Sequence, residues 1–182
     1  MILHRNAKLW LLALTLIAAG CAATRTQRAP GEAIDDGIVT SSVKAALIAN
    51  PDTKARHIDV GTFRGVVQLN GFVGSTVEKA AAETTAGKVN GVKAVRNNLQ
   101  VNASTSTVGE VIDDTWITAK VKTALIADPI AKAHQIEVNT KDAVVQLGGF
   151  VDSAAEKTRA GEVTAAVEHV KSVENRLQVK QP

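Results

Sequence analysis

The side chains that most often carry chemistry are scarce in this 182-residue chain and lie far apart in the sequence. His57, His134 and His169 have no spacing that would pair two of them on a metal ion, and no serine lies in a Gly-x-Ser-x-Gly turn. The acidic pairs 35–36 and 113–114 could attract a cation, but capping of a helix explains them more simply. The sequence therefore predicts no catalytic centre, no metal, no cofactor and a protein that is not an enzyme.

Cys21 is the one cysteine of the chain, and it closes an N-terminal targeting segment. Two basic residues precede an apolar run over 9–18, which is too short to span a bilayer but is typical of a signal peptide. The stretch 18–21, Ala-Ala-Gly-Cys, looks like a lipobox, at which bacterial lipoproteins are cleaved and acylated, although Ala18 stands where leucine is usual. We expect residues 1–21 to be a lipoprotein signal peptide and Cys21 to carry acyl chains such as palmitate. The alternative is an ordinary secretory signal.

The charge balance of the mature chain argues against nucleic acid as a partner. Removing Arg5 and Lys8 with the signal leaves 19 of the 21 basic side chains against 18 acidic ones, whereas nucleic-acid binding needs a basic excess. Ala22 follows the cysteine, where an aspartate usually retains lipoproteins at the inner membrane. We therefore expect a lipid anchor on the periplasmic side of the outer membrane, with a soluble periplasmic protein as the alternative.

The chain is an internal repeat. Residues 35–101 align with 113–179 without a gap, and 34 of the 67 aligned pairs are identical. Two copies of one small domain are therefore expected, at 35–101 and 113–179. Residues 22–34 read as a flexible tether, 102–112 as the linker and 180–182 as a tail.

Each repeat shows the same order of elements. A helix that the aspartate pair caps ends before Pro51 or Pro129, because a residue before proline avoids the helical region. Two strands joined by a short turn follow, and then a second helix with a capping box, Ser75 with Glu78 or Ser153 with Glu156.

A final strand with alternating apolar residues closes each repeat, at 95–101 and 173–179. The predicted fold class is therefore α+β, with two tandem two-layer αββαβ sandwiches. In each, two helices cover one face of a three-stranded mixed sheet. The shared polar pairs Gln68/Gln146 and Asn97/Asn175 are interpreted as hydrogen-bonding residues of the strands.

The other face of each sheet is predicted to be apolar in part and uncovered by helices. It is expected to pack the repeats together or to bind a partner, through four residues: Val66, Phe72, Val144 and Phe150.

Trp116 opens an exposed stripe on the first helix of the second repeat. Lys120 and Thr123 follow it at the helical period, so they lie on the same stripe, beside the core-facing side of the helix. Tryptophan favours the water–lipid interface, and lysine favours anionic head groups. The first repeat has Ile38 and Ser42 in place of the tryptophan and the lysine. The stripe is thus a candidate phospholipid-binding site, while simple packing of Trp116 at the domain edge or under the linker is the alternative.

The element order and several strings resemble the BON domain (bacterial osmotically inducible periplasmic protein and nodulation domain). They are Val-Val-Gln-Leu-x-Gly-x-Val at 66–73 and 144–151, and Gly-Val-x-x-Val-x-Asn-x-Leu at 91–99. The second repeat departs from the last string at His169, which is expected to need a less demanding backbone there.

The resemblance implies a non-enzymatic envelope protein with two BON domains. Such proteins include lipoproteins whose second domain binds anionic phospholipid through a tryptophan helix, and the residue that matches here is Trp116. The function expected is therefore an outer-membrane lipoprotein that supports envelope integrity or osmotic-stress tolerance, with other envelope proteins as further partners. The alternative is a periplasmic protein-binding module or chaperone for exported proteins, which would use the open sheet faces.

Overall fold

The computed structural model describes residues 30–53, 57–103, 108–131 and 133–181, and each repeat folds as an α+β domain. The first domain comprises α1 (Pro30–Ala49), β1 (Ile58–Phe63), β2 (Val66–Val73), α2 (Thr76–Gly87), β3 (Ala94–Asn97) and β4 (Gln100–Val101). The second comprises α3 (Val108–Ala127), β5 (Ile136–Lys141), β6 (Val144–Val151), α4 (Ala154–Ala165), β7 (Ser172–Asn175) and β8 (Gln178–Val179). Short 3-10 helices lie at Pro51–Thr53 and Ala133–Gln135. The predicted fold class is confirmed.

Helices α1 and α3 begin earlier in the chain than predicted. They start at Pro30 and Val108, so the last part of the predicted tether 22–34 and of the predicted linker 102–112 is helical. Proline is well suited to a first helical turn, because its missing N–H is not needed there. Both helices end before the next proline, as predicted.

The predicted capping role of the aspartate pairs is wrong, because both pairs lie inside the helices. The carboxylate of Asp36 instead accepts hydrogen bonds from the backbone N–H groups of Arg64 (2.6 Å) and Gly65 (2.8 Å) in the β1–β2 turn. Asp114 does the same for the β5–β6 turn at 142–143. All four turn residues have positive φ, so each aspartate satisfies the N–H groups of a left-handed turn and ties its helix to the hairpin.

Each sheet is mixed, with the long middle strand paired on both sides. Strands β1 and β2 are antiparallel, and β3 and β4 both run parallel to β2. The second domain repeats this pattern with β5 to β8. The predicted last strand is interrupted at 98–99, where Leu99 turns into the core and its N–H donates to Asn97 Oδ1.

The predicted capping boxes of α2 and α4 are present. Ser75 Oγ accepts from the N–H of Glu78, and Ser153 Oγ accepts from that of Glu156. Each glutamate reaches back one residue beyond the serine, to the N–H at position 74 or 152. These bonds satisfy donors that a helix start leaves free.

The helices of each domain bury an aliphatic core against one sheet face. In the first domain it includes Val43, Leu47, Val67, Leu69 and Leu99. The core of the second domain is built the same way, around Ile117, Val121, Leu125, Leu147 and Leu177.

The opposite faces of the two sheets pack on each other. Contacts join β2 with β6, β1 with β6 and β2 with β5. The molecule is therefore layered as helices, sheet, sheet, helices, and the sheet faces that each domain leaves uncovered meet in the centre.

Candidate functional site

Trp116 projects from the outer side of α3 and remains 41% exposed. The Lys120 ammonium lies 5.2 Å from the centroid of the indole ring, one turn further along the helix. Thr123 is exposed on the same stripe, and its hydroxyl donates to the carbonyl oxygen of Ala119. A cation at this distance over the indole face is attracted by the ring and stays available to an anion from solvent.

His169 forms the other wall of this site. Its ring lies edge-on to Trp116, with the centroids 5.5 Å apart. Both residues line a pocket that also includes Asp113, Ile117 and Ala143. The φ of His169 is +67°, close to the +89° of Gly91, its counterpart in the first domain. The expectation of a less demanding backbone at His169 is therefore wrong: the left-handed turn is kept, and the second domain tolerates its strain while placing a ring beside Trp116.

The first domain lacks every part of this cluster. Ile38 stands in place of Trp116 and is 60% exposed, Ser42 replaces Lys120, and Gly91 has no side chain. The two helices are otherwise alike in length and in their buried faces. The tryptophan–lysine–histidine cluster thus belongs to the second domain alone.

A second polar arrangement lies between the domains. The fully buried side chain of Gln68 accepts from the N–H of Gly149 (2.8 Å) and donates to the carbonyl of Arg176 (2.8 Å). Gln146, also fully buried, accepts from the N–H of Gly71 (2.6 Å) and donates to the carbonyl of Asn98 (2.9 Å).

These four bonds are related by an approximate twofold axis, because Gln68 and its two partners are the repeat counterparts of Gln146 and its two partners. The glutamines are therefore interdomain brackets and not the within-strand residues that the sequence predicted. Asn97 and Asn175 do have a local role, since each donates to a carbonyl of the second helix of its own domain.

The twofold relation fails at one place in the middle strands. Asn70 and Gly148 are counterparts, and a Cβ added to Gly148 would lie 2.3 Å from the side chain of Asn70. Asn70 fills the space that Gly148 leaves and bonds to Asn98 and to Glu137 of the other domain. Two asparagines could not occupy this space, so the difference between the repeats fits them to each other.

Glu137 lies at this interface and carries a raised pKa. Burial is the main cause, and the nearby carboxylate of Asp59 adds to it, while the amide of Asn70 and the ammonium groups of Lys44 and Lys122 oppose it. The neutral acid is thus easier to accommodate between the domains than the carboxylate.

The four residues predicted on the uncovered sheet faces have different surroundings. Val66 and Val144 are half-buried. Phe150 packs on Phe63 of the first domain, with ring centroids 5.6 Å apart. Phe72 lines a cleft between the domains.

Cys21 lies outside the residues that the structure describes. In the part of the chain that it does describe, no helix is both long and apolar enough to cross a membrane. Nor do any three metal-ligating side chains in that part converge on a possible ion site.

Sequence reasoning missed His169 as a neighbour of Trp116 and the pair Asn70/Gly148. The pair Asn70/Gly148 was visible as the single difference between 66–73 and 144–151, and His169 as the departure from the glycine of the closing string. Such a difference shows where two repeats have diverged, but only the tertiary structure shows which side chain fills the space.

Comparison with known proteins agrees with the repeat structure. The profile of the BON domain matches residues 35–103 and 113–181. Osmotically-inducible protein Y of Escherichia coli (strain K12) is 40% identical over 151 residues, covering 82% of this chain and 75% of that protein. Outer membrane lipoprotein DolP of Haemophilus influenzae is 27% identical over 176 residues, covering 90% of each chain.

A solved structure with a more distant likeness is the C-terminal domain of CdsD, a structural protein of the type III secretion system of Chlamydia trachomatis. Its TM-score is 0.33 at 10% identity, with 78% of this chain and 96% of that chain covered. The profile matches, the 40% identical relative and the two αββαβ domains lead to one conclusion: this chain belongs to the BON domain family.

Proposed function

We propose that this protein is a non-enzymatic lipoprotein of the bacterial outer membrane whose second BON domain docks on anionic phospholipid. Trp116, Lys120 and Thr123 form the docking stripe, and acyl chains on Cys21 hold the N-terminus in the membrane. The protein supports envelope integrity or osmotic-stress tolerance. The relatives favour an envelope role, since one is named as osmotically inducible and the other as an outer membrane lipoprotein.

The observation that carries the proposal is the exposed Trp116 with the Lys120 ammonium 5.2 Å from its ring centroid. An indole settles at the level of the lipid head groups, where its apolar ring and its N–H are both accommodated. A lysine near an anionic surface adds roughly 1 kcal/mol of attraction. The stripe therefore offers both contributions on one helix face.

Two attachments on one chain strengthen each other. Once acyl chains hold the N-terminus, the second domain meets the membrane at a high effective concentration. A weak affinity of the stripe for lipid is then enough to keep the domain on the surface.

The alternative, a protein-binding module that uses open sheet faces, has less surface to offer, because much of each face is covered by the other domain. Those faces pack on each other through the Gln68 and Gln146 brackets. Such a module would have to use the helices, the sheet edges or the cleft beside Phe72.

The test is flotation of unlipidated residues 22–182 with vesicles, with and without phosphatidylglycerol, at low and at high salt. We expect salt-sensitive binding that requires the anionic lipid. Trp116→Glu should weaken it on the order of tenfold and Lys120→Gln about fivefold, since each removes one contribution.

Ile38→Glu is the matched control, because it places the same charge at the equivalent exposed position of the first domain. It should leave binding unchanged. Equal binding of wild type and Trp116→Glu would contradict the proposal. Absence of any vesicle binding would leave the acyl anchor as the sole attachment and would also contradict docking by the domain.

A further inference from the structure

The two ends of the interdomain interface are related by the same approximate twofold, but only one of them holds a pair of aromatic rings. We call that end the filled end and its counterpart, where the cleft is larger, the open end. At the filled end, Phe150 of the second domain packs on Phe63 of the first. The Lys180 ammonium lies 5.8 Å from the centroid of the Phe63 ring and donates to Asp152 Oδ1 at 2.6 Å. The aromatic pair and the lysine occupy much of this end and leave a smaller cleft of about 340 Å³.

At the open end, the counterpart of Phe150 is Phe72, but the counterpart of Phe63 is Lys141. Among the described residues, Phe72 therefore lacks the aromatic neighbour that Phe150 has. The counterpart of Lys180 is Asn102, whose amide donates to Asp142 Oδ2 at 2.7 Å. A cleft of about 700 Å³ opens here between Phe72 and α3.

The cleft combines an apolar floor with hydrogen-bond donors. Phe72, Val111 and Ala119 supply apolar surface. The side chains of Lys122 and Lys141 also line the cleft, and the Lys141 ammonium lies 3.5 Å from Asp142 Oδ1. The carboxylate of Asp114 is present too, but it already accepts the two N–H groups of the β5–β6 turn.

Asn139 adds a second sign of an incomplete site. It lines the cleft, and its Nδ2 is buried without a hydrogen-bond partner among the described residues. Its counterpart at the filled end is Gly61, over which the Phe150 ring lies, 3.8 Å from the position of an added Cβ. A buried amide donor that lacks an acceptor is uncommon in a folded protein, and either a water molecule or a bound group can satisfy it.

We propose that this cleft binds a carboxylate that carries an aromatic ring, with the ring on Phe72 as Phe63 lies on Phe150. The carboxylate would pair with Lys122 and Lys141 and offer an acceptor to Asn139. The volume lies within the range of small-molecule sites, which combine apolar walls with a few polar groups. The filled end shows that the domains already accept a ring in this position.

The cleft is separate from the lipid stripe. The period of α3 turns Ala119 and Lys122 away from Trp116 in one direction around the helix, whereas Lys120 lies slightly to the other side of it. Binding in the cleft and docking on lipid therefore use different faces of one helix, and either proposal can fail without the other.

The experiment is a titration of the 15N-labelled residues 22–182 with N-acetylphenylalanine, followed by amide chemical shifts. For a ligand of this size we expect saturable shifts with a dissociation constant on the order of 1 mM. The shifted amides should include Phe72, Thr118 and Asn139. N-acetylphenylalanine amide, which keeps the ring and loses the charge, should bind about fivefold more weakly.

The most informative variant is Lys141→Phe. It introduces at the open end the phenylalanine that its counterpart Phe63 provides at the filled end. It should raise the melting temperature and weaken ligand binding at least tenfold. Lys122→Gln should weaken binding about fivefold. Lys44→Gln, at the equivalent position of α1, is the matched control and should bind as wild type does. If Lys141→Phe fails to fold, Phe72→Leu removes the ring and should weaken binding in its place.

A peptide that ends in phenylalanine with a free carboxylate separates two sources of the ligand. Binding at least tenfold tighter than that of N-acetylphenylalanine would indicate the end of a polypeptide, and equal binding a free aromatic carboxylate. The proposal is overturned if wild type shows no saturable shifts, if Lys141→Phe and Phe72→Leu both bind unchanged, or if the shifts centre on Trp116.

Discussion

The first and second domains have one fold and identical residues at 34 of 67 aligned positions, yet they differ on the outer helix face and at the interface between them. On the outer face, Ile38, Ser42 and Gly91 of the first domain become Trp116, Lys120 and His169. At the interface, Asn70 becomes Gly148 and Phe63 becomes Lys141.

The two kinds of difference have different consequences. The outer differences give one domain an exposed tryptophan and a lysine, while its core keeps the same architecture with small exchanges such as Val39 to Ile117. The inner differences fit the domains to each other, because identical surfaces facing each other across an approximate twofold would bring the same side chains together. A duplicated domain can thus gain an exposed aromatic–cation pair in one copy while the other copy serves as its structural partner.

The largest effect is expected from Gly148→Asn, which makes the interface symmetric. A Cβ at 148 would lie 2.3 Å from the Asn70 side chain, so the domains must move apart. We expect a loss of about 4 kcal/mol in the free energy of unfolding, above the usual cost of overpacking. Guanidinium titration of the whole chain measures it.

The double variant Asn70→Gly with Gly148→Asn exchanges the two residues and tests the fit directly. It should recover more than half of the loss. Recovery should be incomplete, because the new asparagine would face Asp59 in place of the longer Glu137. No recovery would mean that the twofold relation does not hold at this point.

Gln68→Met should have the next largest effect. Methionine keeps the side-chain size but leaves the N–H of Gly149 and the carbonyl of Arg176 unpaired in the interface. An unpaired buried group costs about 1–3 kcal/mol, so we expect about 3 kcal/mol for the two. Gln146→Met should cost about the same by symmetry, and calorimetry of both variants checks this. A clear difference between them would show that the two brackets contribute unequally.

Glu137→Gln should stabilise the protein at neutral pH, with an effect of intermediate size. The pKa of Glu137 is raised by burial and by Asp59. Below the ordinary glutamate pKa, Glu137 is neutral in both the folded and the unfolded protein, and its stabilising contribution is fully present. This contribution is lost as the pH rises through the raised pKa of the folded protein.

Glutamine keeps an acceptor for Asn70 and does not ionise. The melting temperatures of wild type and Glu137→Gln should accordingly be close at acid pH and separate as the pH rises to neutral. Asp59→Asn is the companion variant, since it removes the like charge that helps to raise the pKa of Glu137. A gap that stays constant with pH would contradict this role.

The smallest effect is expected at the hairpin turns. Ala143 has a φ of +62°, whereas the first domain has Gly65 there with a φ of +77°. A side chain in the left-handed region costs about 1 kcal/mol, so Ala143→Gly should stabilise by about that amount. The reverse exchange, Gly65→Ala, should destabilise by more, because its Cβ would also lie 2.9 Å from the carbonyl oxygen of Gly91. Thermal unfolding of the two variants measures both changes in stability, the expected gain for Ala143→Gly and the expected loss for Gly65→Ala.

Local pattern was enough to predict the elements of each domain. The Ser75–Glu78 box, the stop before Pro51 and the alternation of Ile58 and Val60 in β1 depend on neighbours a few residues away, and the structure has each of them. The internal repeat predicted the number of domains, because two gapless copies of one sequence pattern are expected to fold alike.

Local pattern failed where a side chain acts across the fold. Asp36 resembles a helix cap in the sequence, but its partners lie in a turn 28 residues away. Gln68 resembles a polar strand residue, but its partners lie in the other domain.

The sequence alone therefore determined the α+β repeat, the identity of the core and the divergence of Trp116 and Lys120 from their counterparts, because each depends on residue type and spacing. Only the tertiary structure decided how the uncovered sheet faces meet, that Asn70 fills the space at Gly148, and that His169 lies beside Trp116. These features depend on the shapes of two surfaces brought together, and no spacing along one chain contains that information.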